Sequence, residues 1–248
     1  MTVLLFDVGN SRCKWAWRVQ HGWLHQGVID NMDAAAWQNL KTVFVSMEVP
    51  DKIVASNVAG ENMAAKLREL CSVWTRPVQF IVAQPLQCGV RNLYQNPAQL
   101  GSDRWAALIG AWQHFHQACI VVNCGTATTI DALSATGEFL GGIILPGIKL
   151  MQTSLLNNTA QLVQQNGEVH DFPKNTADAI LTGVMRATTG VIQHQHALLS
   201  AESNAHCIVS GGAAVDLLAH IELPCEHMDK LVLQGLHFIA QDCLINNE

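Results

Sequence analysis

Three short glycine-bearing turns carry much of the chemistry this sequence can do. Asp7-Val8-Gly9-Asn10-Ser11 and Asn123-Cys124-Gly125-Thr126-Ala127 stand 116 residues apart, each between two apolar runs. A turn of small residues between strands offers successive backbone N–H groups to phosphate oxygens. An Asp at its edge can hold a hydrated Mg2+ through the ion's waters. Lys14, three residues after Ser11, is close enough along the chain to reach a phosphate. Alone, the first turn reads as an ordinary hairpin. Its second copy and the late Ser210-Gly211-Gly212 turn shift the reading toward nucleotide binding, because paired glycines at a strand-to-helix junction let a flat base approach the backbone. Neither G-x-x-x-x-G-K-[ST] nor G-x-G-x-x-G occurs, so a P-loop and a dinucleotide fingerprint are both excluded.

The elements that must position these turns alternate strand and helix. Strands are predicted over 3–6, 13–19 and 23–29, a helix over 34–40, a strand over 52–56, an amphipathic helix over 61–74 and a strand over 78–82. The stretch 83–101, rich in Gln, Asn, Pro and Gly, reads as a long ordered loop. A helix over 102–116 follows, with Ser102 as N-cap and Asp103 in its electropositive first turn. The second half repeats the plan. Strands are predicted over 119–122, 128–133 and 138–145, a helix over 148–162 and a long helix from 175–176. A strand over 206–209 and helices over 214–220 and 230–245 complete the chain. This alternation makes the class α/β, and the echoed turn points to an internal duplication.

Composition narrows the function. Of 248 residues, 14% are charged against 49% apolar, and 18 Gln and 15 Asn supply much of the polar surface. Fourteen basic and 20 acidic residues give a formal charge of −6 with no Lys/Arg cluster, which argues against a nucleic-acid partner. No apolar run reaches the roughly 18 residues of a membrane span. Asp7 interrupts the first apolar run before a secretory signal can form. The eight cysteines form no C-x-x-C and read as reduced, buried side chains in a cytoplasmic protein.

Further segments add specificity: Tyr94-x-Asn96-Pro97-x-x-Leu100-Gly101-Ser102-Asp103-Arg104-Trp105, Gly125-Thr126-Ala127-Thr128-Thr129-Ile130-Asp131, Gly141-Gly142-x-x-x-Pro146-Gly147 and Asn175-Thr176-x-x-Ala179-Ile180. In this order and spacing, over nearly the whole chain, they resemble type III pantothenate kinase. The segment from Tyr94 to Arg104 is the most specific. The Asp-x-Gly turn alone is shared with acetate kinase, sugar kinases and actin-like ATPases.

The resemblance implies an α/β, duplicated actin-like ATPase (ribonuclease H-like) fold, two similar domains with a cleft between them. They would cover 1–117 and 118–248, with the last helix able to pack back on the first. It implies a homodimer that phosphorylates pantothenate with ATP and Mg2+, giving 4'-phosphopantothenate, the first step of coenzyme A synthesis. Asp7, Val8, Gly9, Asn10, Ser11, Arg12, Cys13 and Lys14 would form the ATP phosphate turn, with Thr126 from the second half. Tyr94, Gly101, Ser102, Asp103 and Arg104 would line the pantothenate site, and Thr176 would reach it from the partner subunit. Asp103 would be the general base and Asp7 would hold Mg2+ through water. The chemistry suits these residue types: a primary alcohol needs a carboxylate to accept its proton, and a guanidinium such as Arg104 pairs well with a carboxylate substrate.

One departure concerns a monovalent cation, K+ or NH4+. Many members carry Asp where this chain has Asn123; an amide oxygen can coordinate but supplies no charge, so K+ is expected to activate weakly or not at all. Asp131 could meet Mg2+ or simply end a strand. His114/His116 and His194/His196 diverge on helices and do not chelate, and Trp15, Trp17, Trp105 and Trp112 read as packing. Competing readings are a related small-alcohol kinase, a nucleotide-responsive regulatory (transcriptional accessory) protein, and an inactive homologue.

Overall fold

The computed structural model describes residues 1–20, 22–157, 166–201 and 204–245. It divides into two compact units, one formed by residues 1–115 with the chain from Leu231 onward, the other by 116–230.

The first unit opens with β1 (Val3–Val8), β2 (Arg12–Val19) and β3 (Gly22–Asp30), an antiparallel meander. α1 (Ala34–Val45), β4 (Lys52–Asn57), α2 (Glu61–Cys71) and β5 (Val78–Phe80) follow. β4 pairs parallel to β1 and β5 parallel to β4, giving the order β3-β2-β1-β4-β5. As the central strand, β1 is covered on both faces, and Val3, Leu4, Leu5 and Phe6 are all fully buried; its run is therefore continuously apolar rather than alternating. On one face, Phe6, Trp15 and Trp17 pack around Phe44 of α1, with ring centroids 6.2, 5.4 and 6.5 Å away in edge-on geometry. Each such pair adds about 1 kcal/mol beyond its buried area. This aromatic core holds the β1–β2 turn from beneath.

Residues 83–101, expected as a loop, instead contain the hairpin β6 (Leu86–Gln87) and β7 (Val90–Asn92), then a 3-10 turn at Pro97–Gln99. Cys88 and Gly89 both have positive φ, 49° and 80°, as a two-residue hairpin turn of the twist-matching type requires. No apolar alternation betrays strands so short. α3 (Ser102–Phe115) then leaves this segment.

The second unit repeats the first. β8 (Cys119–Cys124), β9 (Ala127–Leu133) and β10 (Glu138–Pro146) form a second antiparallel meander. α4 (Ile148–Asn157), α5 (Thr176–Ser200), β11 (His206–Ser210), α6 (Ala214–Leu218) and β12 (Cys225–His227) complete it. β11 is parallel to β8 and β12 to β11, so these strands run β10-β9-β8-β11-β12, matching the first sheet strand for strand. The duplication expected from the echoed turn is thus a duplication of topology, and the fold is the actin-like one. β12 was not expected, and the predicted helix over 61–74 stops at Cys71. Residues 158–162 of the helix expected over 148–162 lie outside the described residues.

α7 (Leu231–Ile245) returns to the first unit and packs on α3. The approach is close enough to demand glycine on both helices: a Cβ on Gly110 would lie 2.6 Å from the Leu231 carbonyl oxygen, and one on Gly235 would collide with the Ala106 backbone. The helix carrying Asp103 is thereby fixed along its length. Among the described residues no helix is long and apolar enough to cross a membrane.

Candidate active site: the β1–β2 turn and the start of α3

Asp7 is the next-to-last residue of β1, with Lys14 opposite it on β2 and Ser56 beside it on β4. Burial is the main influence on its carboxyl, pushing it up to about 6 although a little surface remains. Lys14 pulls it down and the charge of Asp103 raises it further. Asp7 thus feels Lys14 and, more weakly, Asp103, which has Arg104 as its own counter-charge.

Beyond Asp7 the chain turns tightly, and the Gly9 N–H donates to the Arg12 carbonyl at 3.0 Å. Asn10, Ser11 and Arg12 are exposed, whereas Val8 and Cys13 point into the aromatic core. Of the eight residues expected to hold phosphate, Val8 and Cys13 therefore offer only backbone. The turn is gripped by a residue the sequence reading missed: the Asn31 side-chain amide donates to the carbonyls of Gly9 (2.7 Å) and Asn10 (3.1 Å).

Asp103 sits in the first turn of α3, where the helix dipole favours an anion. Burial nevertheless raises its carboxyl above the usual carboxylate range, partly opposed by the Arg104 N–H at 2.8 Å and the Arg104 charge. Ser102 was expected to cap this helix. Instead Gly101 starts it, its carbonyl accepting from the Trp105 N–H at 3.0 Å. The buried Ser102 hydroxyl bonds to Ser56 Oγ at 2.8 Å. Through that bond the start of α3 is tied to the strand beside Asp7, which explains why the two carboxylates interact. Gly101 leaves room for the acid, since a Cβ there would lie 2.8 Å from Asp103 Oδ1.

Arg104 is buried, and its guanidinium donates to the Tyr94 hydroxyl at 3.4 Å. Tyr94 is set by Asn92, whose side-chain oxygen accepts the Tyr94 N–H (3.0 Å) while its amide donates to the Pro97 carbonyl (3.2 Å). Asn96 caps the 3-10 turn by accepting from the Ala98 N–H. The run from Tyr94 to Arg104 is thus one folded unit around a tyrosine, a guanidinium and a carboxylate. Asn31, Ser56 and Asn92 escaped the sequence reading because a lone Asn or Ser at a strand end reads as turn chemistry.

The second unit holds the other candidates. Asn123 is the next-to-last residue of β8, with Thr129 opposite on β9 and Ser210 beside it on β11. Its turn is closed by the Gly125 N–H donating to the Ala127 carbonyl at 3.0 Å, and Thr126 accepts from the Gly147 N–H at 2.9 Å. Gly211, at φ 102°, passes so close to β8 that a Cβ would overlap the Cys124 backbone, while Gly212 faces open space. Packing therefore accounts for Gly211, and only Gly212 is left open for a base to approach. Thr176 is exposed at the start of α5, where Asn175 caps the helix by accepting the Asp178 N–H at 2.9 Å. His114 bonds to Gln234 and His196 to the Ala205 carbonyl, and no cluster of metal-ligating side chains occurs among the described residues.

Comparison with known proteins gives this geometry a lineage. Among solved structures, the activator of the 2-hydroxyisocaproyl-CoA dehydratase from Clostridium difficile with bound ADPNP superposes with a TM-score of 0.59 at 10% identity, covering 100% of this chain and 97% of that one. MreB5 of Spiroplasma citri bound to AMPPNP gives 0.53 at 10%, covering 99% and 98%. At such identities the likeness speaks for the actin-like fold. Sequence is more specific: a type III pantothenate kinase from Nitrosospira multiformis is 45% identical over 97% of this chain and 91% of its own length. The family model for type III pantothenate kinase matches residues 3–197, which favours the kinase over the regulatory reading: the chain belongs to the type III pantothenate kinase family.

Proposed function

We propose that this protein transfers the γ-phosphoryl group of ATP to the terminal hydroxyl of pantothenate, with Asp103 accepting the hydroxyl proton as its oxygen attacks phosphorus and ADP leaves. The observation that carries this reading is the Ser56–Ser102 hydrogen bond, which ties the start of α3, and with it Asp103, to the strand beside Asp7. Phosphoryl transfer draws its rate chiefly from positioning and charge neutralisation. The exposed backbone of 10–12 and Lys14 bind the phosphates; Arg104, with its fork held by Tyr94, receives the substrate's carboxylate. Asp7 fits Mg2+, since its partly exposed carboxylate is poorly solvated and only partly offset by Lys14, and a bound ion would supply charge neutralisation on the phosphate oxygens. A monovalent cation fits less well. Asn123 is neutral, and its neighbours Thr129 and Ser210 are neutral too. Thr126 completes the nucleotide site in this reading, and Thr176 reaches pantothenate from the partner in a cytoplasmic homodimer.

A coupled assay of ADP release with Mg-ATP tests the proposal, run with and without pantothenate. Release should depend on pantothenate, and Asp103→Asn should remove it by roughly three orders of magnitude or more while ATP still binds. Burial raises the Asp103 carboxyl, so the wild-type acid limb should lie above the ordinary carboxylate range. A fully active Asp103→Asn variant would overturn the assignment.

A further inference from the structure

We infer that Asn31 is a positioning residue for the ATP phosphates, holding the β1–β2 turn with its N–H groups presented outward. The inference rests on the reading of that turn as the phosphate site. Asn31 lies one residue beyond β3, and three consecutive carbonyls of the turn end on it. Its side-chain amide donates to Gly9 and Asn10, and its backbone N–H donates to the Ser11 carbonyl at 3.0 Å. A trans peptide is planar, so its C=O and the next residue's N–H point in opposite directions. Turning the Gly9 and Asn10 carbonyls inward therefore turns the N–H groups of Asn10 and Ser11 to the opposite, exposed side of the turn.

The grip is itself braced. The Asn31 carbonyl accepts from Lys66 Nζ of α2 at 3.1 Å, and that ammonium lies 4.4 Å from the centroid of the Trp37 ring on α1. Two helices thus anchor one asparagine. The side chain is only 8% exposed, and its Oδ1 is buried with no hydrogen-bond partner among the described residues. An orphan buried acceptor is a cost that a residue kept for packing would avoid. The amide orientation is fixed by chemistry, since two carbonyl acceptors demand the NH2 group.

Asn31→Asp keeps the shape and replaces both donors with an acceptor that repels the two carbonyls. It should raise the calorimetric Kd and the KM for ATP roughly tenfold or more, the loss of two hydrogen bonds, while the KM for pantothenate stays within about twofold. Lys66→Met keeps the aliphatic stem and removes the brace, and should raise the Kd for ATP by about threefold. A merely structural asparagine would lower the melting temperature without separating the two KM values. The inference is overturned if folded Asn31→Asp binds ATP as wild type does, or if both KM values rise together. Should Asn31→Asp fail to fold, an unchanged Kd in Lys66→Met overturns it. A wild-type protein that binds no ATP would refute the underlying site reading as well, whereas tight wild-type binding with an indifferent Asn31 would refute the inference alone.

Discussion

Replacing Asp7 by Asn should stop catalysis and stabilise the ligand-free protein, and the size of that gain follows from the site. Burial lifts the Asp7 carboxyl from 3.8 to about 6, even after the attraction of Lys14 is included. The folded state therefore binds the proton more tightly than the unfolded chain. Below pH 3.8 both states are protonated and the carboxyl costs nothing. As pH rises through 6 the folded protein must carry a poorly solvated charge. At about 1.4 kcal/mol per tenfold, the interval corresponds to about 3 kcal/mol at pH 8, roughly half that near pH 5 and well under 1 kcal/mol at pH 4. Asn mimics the protonated acid and escapes the penalty. All seven tryptophans lie between residues 15 and 112, within the first unit, so tryptophan fluorescence in a urea titration follows that unit selectively. The variant should be more stable at pH 8 by about 3 kcal/mol and indistinguishable near pH 4. A gain that did not shrink on acidification, or no gain at pH 8, would show that Asp7 is not a desolvated, ionised group, and with it the case for a metal-seeking carboxylate would fall. A saturating Mg-ATP titration should reverse the order of stabilities, because ligand then favours the wild-type charge.

Three other outcomes follow from the same geometry. Gly101→Ala places a methyl 2.8 Å from Asp103 Oδ1, so steady-state kinetics should show kcat reduced on the order of a hundredfold with little change in the KM for ATP. Ser56→Ala and Ser102→Ala should each destabilise by about 1–3 kcal/mol by orphaning a buried hydroxyl; the double variant should cost less than the sum in a denaturation cycle. Replacing K+ by a large inert cation should leave the turnover rate within about twofold, and a steep loss would show that Asn123 coordinates without a charge.

The fold was legible where periodicity and burial agree. The run Val3–Phe6 announced a central strand, and the echo of Asp7-x-Gly in Asn123-x-Gly announced the repeat, because the same strand–turn–strand geometry demands the same small residues. Strands β6 and β7 were not legible, since two or three residues cannot display a period and only the Cys88-Gly89 backbone reveals the hairpin. Ser102 misled for a physical reason: a serine before an acidic first turn suits an N-cap, but a buried hydroxyl on a neighbouring strand outbid the helix N–H groups. In the candidate site, Asp7 and Lys14 were legible in the glycine-bearing turn, and Asp103 in the resemblance its segment carries. Asn31, Ser56 and Asn92 could not, because their roles come from partners 21, 46 and 5 residues away.

The two turns also differ in a way that sequence spacing alone hides. In the first unit Asp7 stands between Lys14 and Ser56; in the second Asn123 stands between Thr129 and Ser210, at the same places in matching sheets. The serines are retained while both charges are gone. A phosphate-binding turn draws on backbone N–H groups and needs no carboxylate of its own; an acid there is useful only where a cation intervenes. Under the function proposed above, the acid of the first turn alone would meet a divalent ion. Thr129 Oγ1 is buried with no partner among the described residues. By this logic Asn123→Asp in this chain would place a carboxylate beside neutral neighbours only, and any cation dependence it acquired would measure the charge that the native turn does without.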